Sequence, residues 1–156
     1  MTMDMHRRQW LQILGLACVS HAPTYPTRQV HEDLLAVTEP DALPAMDWGD
    51  LIRMLEDWGP PPWHCSVTGR HGDLGTMLAD CRHAVQRHQR DLGTTPATAL
   101  VVLRGNGAAF RLADFVEIHT TIRSAVNAST ELWFGAAHDP ALVDAFRVTV
   151  VMDARA

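Results

Sequence analysis

The chain has 156 residues, of which 47% are hydrophobic, so it can bury one core and corresponds to a single domain with short extensions. Its net charge of -5 and its lack of a basic stripe disfavour nucleic-acid binding, and no apolar run approaches the roughly 20 residues of a membrane span. Its cysteines (Cys18, Cys65 and Cys81) are odd in number and form no CxxC pair, which favours a reducing, cytoplasmic compartment over a disulfide framework.

Residues 1–34 are predicted to form an N-terminal helix and a connector that contains prolines, ahead of a domain over residues 35–156. The helical interpretation rests on apolar residues with the spacing of a helix that docks on a core: Trp10, Ile13, Leu14 and Ala17. Alternatively, residues 1–22 resemble a twin-arginine export signal, because Arg7 and Arg8 precede a short apolar run. A structural protein exported in this way would begin near Pro23. Within the connector, a short helical piece is predicted over Gln29–Val37.

The next predicted helix is Asp47–Trp58, which Asp47 or Asp50 can cap because a carboxylate accepts hydrogen bonds from free backbone amides. Capping alone would explain both acids, since such residues are common at helix starts. Gly59 and the prolines at 60–62 end the helix. Trp48, Trp58 and Trp63 surround these prolines, either as a packed corner or as an exposed binding patch.

A strand and a helix are predicted to follow. Trp63–Thr68 alternates, with Trp63, Cys65 and Val67 on one face, and residues 69–72 form a turn. Asp73–Asp91 has the period of a helix, and Gly93 ends it. The apolar stripe of this helix consists of Leu74, Met77, Leu78, Cys81 and Val85.

A continuous apolar run, Ala99–Leu103, predicts a central strand that is buried on both faces. Residues 104–107 form a turn, and Leu112–Val126 is predicted to be the next helix. Its apolar face is predicted to consist of Leu112, Phe115, Val116, His119, Ile122 and Val126.

The stretch Thr130–Met152 predicts two strands around an acidic turn. Leu132–Ala136 is a short apolar run, His138-Asp139-Pro140 breaks it, and Phe146–Val150 alternates as a half-buried strand does. Strands separated by helices are expected to be parallel neighbours or near neighbours, and the last pair to be antiparallel. The predicted fold is α+β, a two-layer arrangement of a mixed four-stranded sheet with helices packed on it.

No catalytic residue and no metal site are predicted. The histidines and cysteines of the central segment miss the i+3 or i+4 spacing that places two ligands on one helix face, which favours core cysteines and solvated histidines: His64, Cys65, His71, Cys81, His83 and His88. Adjacent His64 and Cys65 point to opposite faces of a strand, so they do not form a nucleophile–base pair.

The motifs of the closing stretch resemble the C-terminal domain of FtsZ, the bacterial tubulin-like division GTPase. That family closes its sheet with a strand ending in Phe-Gly, an acidic turn and Arg-Val-Thr-Val, and Phe134-Gly135, Asp139-Pro140 and Arg147-Val148-Thr149-Val150 follow this order. The resemblance extends upstream to three further segments: the strand and glycine turn at 99–105, the helix at 110–127 and the strand–helix unit at 63–88. Ala45-Met46-Asp47-Trp48-Gly49-Asp50-Leu51 resembles the synergy loop, usually written Asn-x-Asp-Phe-Ala-Asp-Val.

The resemblance implies an interaction through this loop, whose candidate residues are Ala45, Asp47, Trp48, Gly49, Asp50 and Leu51. In the family, the loop reaches the nucleotide pocket of the next subunit, where its acids polarise the attacking water. Asp47 and Asp50 take these positions here, and Ala45 replaces the asparagine. Residues 1–45, ahead of the synergy-loop-like segment, contain no glycine-rich phosphate loop, so no GTP or other cofactor is expected to bind. The implied function is non-enzymatic: binding FtsZ or a tubulin-like homologue and modulating its assembly, with homo-oligomers as a further expected partner.

An alternative function is a small-molecule-binding or catalytic oligomer on the same two-layer scaffold, because a fold does not determine function. It would be favoured by a pocket between subunits where Arg104, Arg111 or Arg123 converge.

Overall fold

A computed structural model describes residues 28–58, 62–106 and 111–153. The helix and the export signal predicted at the N-terminus, and Cys18, lie outside these residues. The described elements alternate in type as predicted: α1 Arg28–Ala36, α2 Trp48–Trp58, β1 Trp63–Arg70, a 3-10 turn His71–Asp73, α3 Leu74–Leu92, β2 Thr98–Gly105, α4 Leu112–Ala125, β3 Glu131–His138 and β4 Ala145–Met152. The predicted α+β fold with a mixed four-stranded sheet is confirmed.

The sheet has the strand order β1-β4-β2-β3. β2 and β3 are parallel, and β4 is antiparallel to both β1 and β2, so the three strands that helices separate share one direction, as expected. β3 and β4 run in opposite directions, but they do not pair, because β2 lies between them. The short connection at residues 139–144 therefore passes the end of β2, where the Asp139 amide donates to the Gly105 carbonyl at 2.8 Å.

One face of the sheet is covered by α3 and α4. The predicted stripe of α3 is buried there, and Trp63, Cys65 and Val67 of β1 pack against it as predicted. α3 ends at Gly93, which adopts the left-handed conformation (φ 67°) that glycine takes without steric cost.

The second face is covered by α1 and α2, which add a third layer to the predicted two. Val30, Leu34 and Val37 pack there with Leu51 and Trp58, against sheet residues Leu100, Val102 and Val151. Residues 28–34, assigned to the connector from the sequence, thus contribute to this core. Because helices lie on both faces, Ala99–Leu103 is fully buried, as predicted for a central strand.

The face predicted for α4 is wrong at its first turns. Leu112 is 81% exposed and Val116 54% exposed, whereas Ile118, Ile122 and Ala125 are buried. Apolar residues occur on more than one side of this helix, and the period does not show which stripe meets α3. The i, i+4, i+7 stripe from Ile118 makes the core contact.

The three tryptophans near residues 60–62 contribute to packing. Trp58 is buried in the core under α2, and its Nε1 donates to Thr98 Oγ1. Trp48 packs against the same core, and Trp63 packs against the core on the other face. Among the described helices, none is both long and apolar enough to cross a membrane.

Candidate functional site

The loop that resembles the synergy loop is held in place from two sides. The Met46 amide donates to the Val37 carbonyl at 2.8 Å, and the Leu43 amide donates to the Ala136 carbonyl of β3 at 2.7 Å. The Met46 side chain is buried, whereas Ala45 is exposed. The backbone that leads into α2 is therefore fixed both to the segment after α1 and to the edge of the sheet.

The two acids of the loop have different surroundings. Asp47 caps α2, because its Oδ1 accepts from the Gly49 amide at 2.8 Å and its carbonyl accepts from the Leu51 amide at 3.1 Å. Asp50 lies in the first turn, 3.7 Å from Arg53 Nη1, with 48% of its side chain exposed against 76% for Arg53. A pair in this geometry is weak, because water screens it, so the Asp50 carboxylate is accessible to another molecule.

The rest of the loop is divided between surface and core. Gly49 is exposed, Trp48 is half-buried against the core under α2, and Leu51 is buried. The side chains that can meet a partner are thus those of exposed Ala45 and Asp47, half-exposed Asp50 and part of Trp48, while Leu51 anchors the helix.

Beside Asp50 is a cleft of about 300 Å³, between α2 and the first residues of β2 and β3. Its lining includes the carboxylates of Asp50, Asp57, Glu131 and Asp153, with Arg53 as the cation. Trp58 and Trp133 also line the cleft. The excess of carboxylates gives the cleft an electrostatic preference for positively charged groups.

The strand-and-turn residues of the resemblance form a second, interior group around Asp33 of α1. Arg147 donates from Nε and Nη2 to the two Asp33 oxygens, at 3.0 and 2.6 Å, and Thr149 Oγ1 donates to Asp33 Oδ2 at 2.7 Å. Asp33 is fully buried, so this bidentate pair satisfies a charge away from water. The hydrogen bond to Asp33 is the main reason why the pKa of Arg147 is raised, despite its burial.

Asp139, in the turn after β3, extends this network. Its Oδ2 lies 3.2 Å from Arg104 Nη2 and 3.5 Å from Arg147 Nη2, and its Oδ1 accepts from the Ala141 amide at 3.0 Å. Pro140 beside it is exposed. The network joins two arginines to two carboxylates and orders the turn, so Asp139 and Arg147 hold the fold together, and β4 is buried along its length rather than half-buried.

Asp33 is not among the predicted site residues, although the sequence contains a signal for it. Val30, Asp33, Leu34 and Val37 have the i, i+3, i+4, i+7 spacing of one helix face. An acid on an apolar stripe must find a partner in the core, and Arg147, on the polar face of β4, has the matching chemistry.

Phe134 and Gly135 of β3 also have packing roles. A Cβ on Gly135 would lie 2.5 Å from Val37 Cγ1, so only glycine allows this approach of α1 to the strand. The Phe134 ring lies 5.6 Å from that of Phe115 and 4.9 Å from that of His119. The two predicted groups thus differ: the loop presents Asp47, Asp50 and part of Trp48 at the surface, whereas the strand-and-turn residues, apart from exposed Pro140, are mainly packing residues.

The three arginines of the alternative function have local partners. Arg104 pairs with Asp139, and Arg111 Nε lies 3.4 Å from Asp114 Oδ2. Arg123 donates from Nη1 to the Thr130 carbonyl at 2.7 Å. None of the three lines the cleft at α2.

Histidines and cysteines do not assemble a metal site among residues 28–58, 62–106 and 111–153, where no group of three or more potential ligands occurs. Burial lowers the pKa of His31, of His64 and of His88. The His88 ring stacks on Trp63, with the ring centroids 4.5 Å apart. These histidines are packing residues that titrate below the usual range.

No family model matches the chain, and no curated protein matches it. Among solved structures, it is similar to an empty FtsZ dimer from M. jannaschii, with a TM-score of 0.60, 15% identity and coverage of 84% of this chain. It is also similar to a point mutant of M. jannaschii FtsZ, with a TM-score of 0.53, 16% identity and coverage of 90%. The matches span only 40% and 44% of those FtsZ chains, as expected for a C-terminal-like domain. At this identity, the similarity establishes the fold.

Proposed function

We propose that the chain is a non-enzymatic interaction domain that binds FtsZ, or a related tubulin-like filament protein, through the loop at residues 45–51 and modulates filament assembly. The observation that carries this proposal is the partly exposed Asp50 carboxylate, presented in the first turn of α2 by a loop fixed to β3 and to the segment after α1. The FtsZ fold around the loop supports the choice of partner.

The different environments of the two acids define how the loop would act. One oxygen of exposed Asp47 caps the helix, whereas Asp50 has only a weak pair with Arg53, so Asp50 is the carboxylate less engaged within the chain. A carboxylate can assist hydrolysis only within hydrogen-bond reach of the attacking water. Ala45 provides no amide beside it, so we expect docking to dominate and any effect on GTP turnover to occur within the partner's site. These 156 residues contain no glycine-rich phosphate loop to offer to the next subunit. Binding at a filament end would therefore block further addition and shorten filaments.

Co-sedimentation with the host's FtsZ and GTP tests the proposal. The wild-type chain should reduce the pelleted FtsZ, and Asp50→Ala should abolish most of this effect without loss of fold, since the Asp50 side chain is 48% exposed and makes only a weak surface pair with Arg53. Trp48→Ala added to Asp50→Ala should remove the remainder. Asp80→Ala, an exposed acid on α3 at the other face, is the matched control and should act like wild type. The proposal fails if wild type leaves both FtsZ sedimentation and GTP turnover unchanged.

A second candidate is a small-molecule-binding domain that uses the cleft beside Asp50 rather than the three arginines. Its excess of carboxylates and its tryptophan walls fit an organic cation. Primary and quaternary amines should then raise the melting temperature of the chain in the absence of FtsZ, and Asp57→Asn should weaken this shift. Amines that leave the melting temperature unchanged would remove this candidate.

A further inference from the structure

The structure brings together two thiols that are far apart in the sequence. Cys65 on β1 and Cys81 in α3 are separated by 16 positions, and their Sγ atoms lie 3.5 Å apart. Cys81 is fully buried in the core under α3, whereas Cys65 is partly exposed on an edge strand. The pair lies on the opposite face of the sheet from α1 and α2.

Two thiols in sulfur–sulfur contact need little movement to form a bond. A disulfide has an S–S length of about 2.05 Å, so closure shortens the present separation by about 1.5 Å. One partner is in a strand and the other in the helix packed against it, and small side-chain rotations can supply this movement. The contact also makes the two thiols chemically unequal, since one accepts and the other donates the shared hydrogen.

We propose that Cys65 and Cys81 form a reversible intramolecular disulfide in response to low-molecular-weight disulfides, with Cys65 as the attacking thiol and Cys81 as the resolving thiol. The partial exposure of Cys65 lets a small disulfide reach it, while the burial of Cys81 restricts that thiol to its neighbour. The hydrogen bond from Cys81 lowers the pKa of Cys65, and the same contact together with burial raises the pKa of Cys81. The pair is therefore polarised in the direction that the reaction requires.

The exchange proceeds in two displacements. The Cys65 thiolate attacks one sulfur of a disulfide RSSR, forms the mixed disulfide Cys65–S–S–R and expels RS⁻, which takes up the proton that Cys65 lost. The Cys81 thiol then gives up its proton and attacks Cys65 Sγ, and the second R group leaves as a thiol. Overall, two protein thiols are oxidised and RSSR is reduced to two RSH, and a dithiol reverses the sequence.

The new bond would link the edge strand β1 to the core helix α3. It would close a loop that contains the whole β1–α3 connection, which restricts the unfolded chain. The oxidised protein should consequently unfold at a higher temperature than the reduced protein. This expectation is independent of the proposed binding to FtsZ, because the pair lies away from the loop at residues 45–51.

The test uses the full chain with Cys18→Ala, which leaves only these two cysteines. It is equilibrated in glutathione buffers of increasing oxidised fraction, quenched with a thiol-blocking reagent and weighed intact. Both thiols should become unreactive together, with a mass about 2 Da lower than that of the reduced chain and no glutathione adduct. Adding Cys81→Ala should trap one glutathione on Cys65, and adding Cys65→Ala should leave Cys81 free while the protein stays folded.

Circular dichroism melting establishes which variants are folded before their reactivity is compared. Oxidation of the parent should raise its melting temperature, and dithiothreitol should reverse the change. The proposal is wrong if both thiols stay free in fully oxidised glutathione, if a stable adduct forms while both cysteines are present, or if the only disulfides link two chains.

Discussion

Replacing Asp33 by asparagine tests the interior network most directly. The change removes the charge that compensates Arg147, in a place where Asp33 is 0% and Arg147 only 11% exposed. Loss of one partner from a buried ion pair costs about 3–5 kcal/mol, because the other charge stays uncompensated. Asp139, 3.5 Å from Arg147 Nη2, retains part of the compensation. We therefore expect the free energy of unfolding to fall by about 3 kcal/mol, a large share of the roughly 5–15 kcal/mol of a typical domain.

Urea denaturation followed by circular dichroism measures this loss. Glu32→Gln is the matched control: Glu32 is the exposed neighbour of Asp33, forms an exposed ion pair with Arg28 and has only a minor electrostatic effect on Arg147, so the change should be within about 1 kcal/mol. Combining Asp33→Leu with Arg147→Met removes both charges and should recover much of the loss. An Asp33→Asn protein as stable as the Glu32→Gln protein would show that the network does not hold α1 on the sheet.

Three further changes test packing and titration. Gly135→Ala should cost about 1–3 kcal/mol, because the new Cβ meets Val37, and adding Val37→Ala should relieve the clash, which a urea titration of both proteins would show. Gly75→Ala, in α3 with open space around the new Cβ, should instead raise the free energy of unfolding by up to about 1 kcal/mol and so raise the melting temperature. A lower melting temperature would contradict this. Burial lowers the pKa of His31, His64 and His88, so the unfolded chain binds protons more readily and stability should fall as pH decreases below about 6.5. The urea midpoint measured against pH should fall less steeply in His88→Gln, but not in the exposed control His83→Gln.

The elements of the fold could be predicted because each depends on local patterns. The alternation from Trp63, the helical stripe from Leu74 and the apolar run from Ala99 each occur within a few residues, and all three are confirmed. An acidic cap of α2, predicted as Asp47 or Asp50, is also confirmed, and Asp47 is the residue that forms it, since capping involves only adjacent amides. Local signals of this kind survive into the tertiary structure when packing agrees with them.

What could not be predicted depends on contacts between distant residues. Asp33 and Arg147 are 114 positions apart, and the Cys65–Cys81 contact requires β1 to lie against α3. Insertion of β2 between the last two strands is likewise a property of the whole sheet, which the short turn at residues 139–144 does not specify. The side of α4 that is exposed likewise could not be predicted, because contact with α3 determines which of its two apolar stripes is buried.

The interior network also determines how the candidate loop is held. Val37 follows α1 and packs against Gly135, and its carbonyl accepts a hydrogen bond from the Met46 amide. The loop therefore keeps its position only while α1 is docked. If α1 can undock before the sheet unfolds, Asp33→Asn should speed hydrogen exchange at the Met46 amide more than at the Val150 amide of β4. Mass spectrometry of peptides that cover the two sites would measure the difference. Equal acceleration at both sites would mean that α1 leaves the sheet only in global unfolding, and that the loop shares the full stability of the core.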